Sequence, residues 1–355
     1  MRARGSSALQ RAQGSGGIRL SFSLLLIFAS AACATPRIAW EELPEAPIAF
    51  VYRTSEEGRR LADLLDPNRD GRREYDTPLE RYSVLELGKL GEVFGAPEER
   101  LAELHHLSGR MAMLVPVSQE FTLVDAALRG ARPLAFSRDR ERLLFMSQRE
   151  RRPQIFELSL SSQEVRPRSQ GPAAHPLADY GPKDRLVFAE VRPGPDGIRA
   201  RIVAMAADGG GERVVSEGPL DSDPTWSPDG AWIVFVRRLS KNELAIAVAP
   251  AEGGEARIIA RGGMDPVFTP DGAWIVYSAQ TPLGRRLWRM RPDGSGKLPL
   301  GDGMYEERNP AVSPDGAFVA FVAEVEGHQR LYVRRFNGTG DRLLLEDGDG
   351  TYPVW

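Results

Sequence analysis

Short apolar runs alternate with turn residues along most of the chain, and the alternation repeats. Asp223-Pro224-Thr225-Trp226-Ser227-Pro228-Asp229-Gly230 leads into Ala231-Trp232-Ile233-Val234-Phe235-Val236. The unit returns at Asp265 to Tyr277 and again at Asn309 to Phe321. Each copy reads as a hairpin: the second proline presets φ for a tight turn, the next Asp can bond its own backbone, and Gly takes the left-handed position. The apolar runs on either side are its two strands.

The prolines that open these units are Pro224, Pro266, Pro310 and Pro353, with weaker copies at Pro133 and Pro176. Their spacing is 42 to 48 residues. A period of that size built from short strands and turns predicts a β-propeller with one four-stranded sheet per repeat. Third strands follow at Gln154 to Leu158, Arg201 to Met205, Leu244 to Val248, Arg286 to Met290 and Arg330 to Arg334. Most of them end at Asp208-Gly209, Gly253-Gly254, Asp293-Gly294 or Asn337-Gly338, dipeptides that favour two-residue hairpins.

Both chain ends carry fragments of a unit. Ile48 to Arg53 has the pattern of a second strand without a first, and Thr351 to Trp355 is a first strand that stops before its turn. Together they complete one blade and remove an exposed edge. The expected fold is therefore all-β, a six-bladed propeller closed by its own termini. Residues 54–132 exceed what the two further strands of this blade need, expected at Met111 to Val117 and Glu120 to Ala127, so an insertion with helical pieces is expected over 54–110, for example at Pro97 to Leu107. A seventh, degenerate blade is the alternative.

The first 32 residues hold four arginines and no acid, followed by the uncharged run Leu20 to Ala32, which fits a secretory signal peptide. The only cysteine, Cys33, follows at once. This resembles a bacterial lipoprotein signal, with Ser30 where a leucine is usual; ordinary cleavage after a small-x-small triplet is the alternative. The expected organisation is a signal peptide over 1–32, a tether over 33–47 and the propeller over 48–355, exported and anchored to a membrane by lipid. Beyond residue 32 there remain 42 basic against 49 acidic residues, which argues against a nucleic-acid partner. Arg285-Arg286 and Arg334-Arg335 read as solvated strand ends, and Trp226, Trp232, Trp274 and Trp355 as core between blades.

One stretch fits a metal. Asp66, Asn68, Asp70, the backbone at Arg72, and Glu74, with Gly71 for the sharp turn, have the spacing of a short calcium loop. Thr77 stands where a full EF-hand loop has its bidentate Glu, and two arginines in the loop oppose the ion. A solvated turn is the bland reading; calcium, if held, has a structural role. No nucleophile-elbow motif occurs, and His105 and His106 read as surface residues of a helix.

The repeat Pro-x-Trp-Ser-Pro-Asp-Gly, with its following strand and Asp-Gly turn, resembles the propeller repeat of the TolB family over residues 131–355. The resemblance implies a six-bladed propeller of the periplasmic Tol–Pal envelope system. The family's separate α/β domain has no room between Cys33 and Pro47. The residue before each anchor proline enters an innermost strand, so Arg132, His175, Asp223, Asp265, Asn309 and Tyr352 are expected around one mouth of the central channel. The function expected is a monomeric, non-catalytic scaffold that binds an envelope protein or peptide segment there. The alternative is a polysaccharide lyase or glycosidase using Asp223 and Asp265.

Overall fold

The computed structural model describes residues 37–65, 109–124, 128, 130–147, 152–194, 197–218, 220–240, 243–302 and 306–355. Strand β1 (Ile48–Arg53) is followed by helix α1 (Ser55–Leu65), β2 (Arg110–Val115) and β3 (Glu120–Leu123). Next come β4 (Arg132–Phe136), β5 (Arg142–Ser147), β6 (Gln154–Ser159) and β7 (Val165–Pro167), then β8 (Ala174–Tyr180), β9 (Leu186–Gly194), β10 (Gly197–Met205) and β11 (Arg213–Ser216). They are followed by β12 (Asp221–Trp226), β13 (Trp232–Ser240), β14 (Glu243–Pro250) and β15 (Arg257–Arg261), then β16 (Gly263–Phe268), β17 (Ile275–Thr281), β18 (Gly284–Met290) and β19 (Leu298–Pro299). The last five are β20 (Glu306–Val312), β21 (Phe318–Val325), β22 (His328–Arg335), β23 (Asp341–Leu343) and β24 (Asp349–Val354).

These strands form six antiparallel four-stranded sheets. Blade 1 has the order β24-β1-β2-β3, so the carboxy-terminal strand is its innermost. Blades 2 to 6 are β4–β7, β8–β11, β12–β15, β16–β19 and β20–β23. The fold is a six-bladed propeller, and Ala49 opposite Val354 and Arg53 opposite Asp349 close the ring. Neighbouring innermost strands touch in the cyclic order β4, β8, β12, β16, β20, β24.

Why the second strands are apolar on both faces is answered by the core, which lies between blades. Ile233 and Phe235 pack against Val187 and Ala189 of blade 3, while Val234 between them faces Ile275 and Tyr277 of blade 5. A strand buried on both sides reads as a continuous apolar run. The same alternation places Phe50 on the blade 6 side and Ala49 on the blade 2 side. Each blade shares one apolar cluster with each neighbour.

The hairpin turns form as their residues dictate. Asp229 Oδ1 accepts the Ala231 N–H at 2.9 Å and the Ser227 hydroxyl at 2.5 Å, with Gly230 at φ 73°. Asp271 and Asp315 repeat the arrangement. In blade 2 the left-handed position holds Arg140 at φ 59°, and its guanidinium lies over Phe136 and bonds Pro47 O at 2.7 Å.

One local feature agrees with the sequence reading and three differ from it. A helix does follow β1, over Ser55–Leu65, started by a capping box in which Glu57 N donates to Thr54 Oγ1 and Thr54 N to Glu57 Oε2. The Pro97 to Leu107 helix, His105 and His106 lie outside the described residues. The end of the expected tether is held on the propeller: Ile38 and Leu43 are buried in the cluster between blades 1 and 6, and Arg335 pairs with Glu42. Trp232 is 44% exposed rather than core, because it starts its strand beside the turn.

Arg334 is the third to differ, and it is no solvated strand end but 1% exposed. Its Nη2 reaches Glu307 Oε1 at 2.7 Å and Asp341 Oδ2 at 2.6 Å, and its plane lies 4.7 Å from the Phe321 ring centroid. Glu307 is itself fully buried, and its other oxygen accepts Leu287 N from blade 5 at 2.9 Å. Removing one partner of such a pair costs about 3–5 kcal/mol because the other charge is stranded. Arg334→Met is expected to lower the unfolding free energy by about that amount. Adding Glu307→Gln, which keeps the acceptor for Leu287, should restore part of it in urea melts. Equal midpoints for wild type and Arg334→Met would contradict this account.

Candidate functional site: the central channel

Each innermost strand meets the channel at its anchor proline, and a proline cannot supply a ladder N–H there. The chain responds with a bulge. In β12, Ser222 pairs with Val236 and Thr225 with Val234, so Asp223 and Pro224 together oppose one residue. The register shifts in the same way in β16 and β20, between Met264 and Val267 and between Arg308 and Ala311.

At four of the six equivalent positions the residue before proline adopts a left-handed backbone: Asp223 (φ 48°), Asp265 (φ 53°), Asn309 (φ 49°) and Tyr352 (φ 54°). Asp and Asn tolerate that region better than most residues, which accounts for three of these side chains. These four and Arg132 line a channel cavity of 240 Å3 that all six innermost strands enclose.

His175 is placed elsewhere. Its N–H bonds Pro153 O at 2.7 Å, and its ring stands edge-on to Phe188 with Nδ1 2.9 Å from Gln154 Oε1. Gln154 Nε2 donates to Ala173 O at 2.8 Å, which fixes the amide and makes His175 Nδ1 the donor. The imidazole therefore lines a separate 550 Å3 cavity between blades 2 and 3. Burial pushes its pKa down to about 4, which keeps it neutral.

The channel's polar groups also stitch blade to blade. The Arg132 guanidinium lies 4.7 Å from the Tyr352 ring centroid and donates from Nη2 to Pro176 O at 2.9 Å, touching blades 1 and 3. Thr225 Oγ1 donates to Pro266 O at 2.9 Å, linking blades 4 and 5. Asp265 accepts Ser278 Oγ at 2.6 Å within its blade, and Asn309 Nδ2 at 3.1 Å from the next.

Sequence reasoning missed Asp179, which lines the same cavity deeper along β8. Its Oδ2 accepts Trp226 N of blade 4 at 2.9 Å and its Oδ1 accepts Tyr180 N at 2.8 Å. Burial between the blades raises its pKa to about 7, outweighing both hydrogen bonds and the charge of Arg138. The one available signal was an acid standing where Ser227, Thr269 and Ser313 stand in the other units.

Among the described residues no group of three or more His, Cys, Asp or Glu side chains is placed to hold a metal ion, and no helix is long and apolar enough to cross a membrane. Asp66, Asn68, Asp70, Arg72 and Glu74 of the expected calcium loop, and Cys33 of the expected lipid site, lie outside the described residues.

A ring of six blades around a central channel defines the class, and solved structures resemble this chain in fold. TolB from Acinetobacter baumannii superposes with a TM-score of 0.63 at 15% identity, covering 87% of this chain and 66% of that one. A putative TolB from Agrobacterium tumefaciens gives 0.55 at 22% identity, over 66% of this chain and 88% of the other. Kuenenia stuttgartiensis hydrazine synthase gives 0.61 at 13% identity, over 88% of this chain and 47% of that one. This chain thus spans just under two thirds of the Acinetobacter protein's length. No family model and no curated protein matches the sequence. The propeller is TolB-like in fold.

His175 and Asp179, both on β8, predict opposing pH effects. Asp179 has a folded pKa of about 7 against an ordinary 3.8, so its contribution to stability is full in acid and is lost as pH rises from about 4 to 7. His175, at about 4 against an ordinary 6.5, contributes fully above pH 6.5 and loses that contribution as pH falls towards 4. In thermal melts across this window, Asp179→Asn should make stability rise more with pH than in wild type, and His175→Gln should make it fall more. Variants that both parallel the wild-type profile would refute the two assignments.

Proposed function

We propose that this chain is a non-catalytic, TolB-like propeller of the bacterial cell envelope that holds an envelope protein or a peptide segment at its channel mouth. The observation that carries the reading is the convergence of Arg132, Asp223, Asp265, Asn309 and Tyr352 on one cavity, at equivalent positions of five blades. Hydrogen-bonding side chains held by their neighbours present a preformed surface, so a partner meets little ordering cost there. The basic, then apolar leader supports export, which agrees with the likeness to TolB; Cys33 supports a lipid anchor, in which the chain departs from that family.

A second reading, a channel enzyme acting on polysaccharide, is favoured by one observation: an acid with pKa raised to about 7, Asp179, in the same cavity as Asp223 and Asp265. Its geometry is weaker. Asp179 is level with Trp226, three residues down β12 from Asp223, roughly 10 Å at about 3.3 Å per residue. Glycosidase carboxylates stand about 5–9.5 Å apart.

The test compares envelope extracts passed over wild type and over the Asp223→Asn, Asp265→Asn double variant. Asn is chosen because it keeps the left-handed backbone that Ala would strain by about 1–2 kcal/mol. The reading predicts a retained protein that the variant loses while its melting temperature stays near wild type. Identical retention by both chains sinks it, and turnover of any member of a polysaccharide panel abolished by Asp179→Asn would favour the enzyme.

A further inference from the structure

At the level of the anchor prolines the walls of the channel differ in charge, Asp179 lying deeper along β8. The innermost strands follow one another as β4, β8, β12, β16, β20 and β24, so β16 lies three steps from β4 in either direction. Asp265 on β16 therefore faces Arg132 on β4 across the ring, and Asp223 on β12 stands beside Asp265. Arg132 is 3% exposed, held under the Tyr352 ring and by Pro176 O. Asp265 is held by Ser278 and Asn309. A cation on one wall and carboxylates on the opposite wall are both fixed before any ligand arrives.

A ligand of one charge is attracted by one wall and repelled by the other, whereas a ligand carrying both charges is matched at each. Size narrows the class further. The cavity of 240 Å3 falls below the roughly 300–1,000 Å3 of pockets that take drug-sized molecules. We propose that the channel binds a small zwitterion of amino-acid to dipeptide size, its carboxylate towards Arg132 and its ammonium towards Asp265 and Asp223. This rests on the channel being a binding site, as proposed above, and names the ligand chemistry it selects.

Calorimetric titration of the whole chain with alanyl-alanine, N-acetyl-alanyl-alanine and alanyl-alanine amide, with free alanine as the shorter zwitterion, tests this without altering the fold. At least one zwitterion should bind. Blocking either end of the dipeptide should weaken binding about tenfold or more, the effect of losing one charged hydrogen bond. Added salt should weaken binding as well. Asp265→Asn should reduce affinity for the dipeptide while leaving the weak binding of the amine-blocked form unchanged, a pattern that general destabilisation would not give. Blocked and free dipeptides binding equally, or neither zwitterion binding at millimolar concentration, overturns the inference. If the zwitterions fail while the double variant above still loses a protein partner, the channel remains a binding site and only the ligand class is wrong.

Discussion

The pairing of β24 with β1 is the constraint on which the ring depends. Without it blade 1 keeps three strands and loses the one that faces the channel, and the clusters on both its sides open to water. Phe50 and Ile48 serve the cluster with blade 6, Ala49 and Met111 the cluster with blade 2. The seam is reinforced from outside the ladder. Trp355 Nε1 donates to Ala46 O at 2.9 Å, Arg53 Nη1 to Thr351 Oγ1 at 3.2 Å, and the buried Asp349 contacts His328 Nδ1 at 3.1 Å. Helix α1 lies so close that a Cβ on Gly58 would meet the Asp349 carboxylate.

Ring closure also explains why polar groups collect at the channel's anchor prolines and stitch it together. Six strands converging on one axis bring their bulges together, and a bulge leaves backbone carbonyls without ladder partners. Thr225 and Arg132 bond such carbonyls at Pro266 and Pro176 of the next blade. Asp179 does the converse for the Trp226 N–H. The same side chains thus hold the ring together and set the charge of the space it encloses, a cation across from carboxylates.

Much of this was legible in the sequence because it is repetitive and local. The proline period and the Pro-Asp-Gly turns follow from residues close in the chain, the split first blade follows from fragments of the same unit at its two ends, and the six sheets follow from them. What stayed hidden depends on a neighbouring blade. Arg334 looks like a strand-end charge until Glu307 and Asp341 surround it. His175 occupies the sequence position of Asp223, yet Pro153 and Gln154 draw it into a different cavity. Asp179 stands out in the sequence only as an acid where other units have Ser or Thr; its bond to the Trp226 N–H of blade 4 appears only in the fold. The residues read as a tether gave no periodicity because their partners, Arg335 and Arg342, lie at the far end of the chain.

Native-state hydrogen exchange on the amides of β1 and β24 tests the central claim most directly. If the termini close the ring, the paired amides of β1 and β24 should exchange only through global unfolding, at rates matching the central strand β13. Amides of β24 that exchange far faster than those of β13, as a fraying end would, contradict a ring held shut by its own termini.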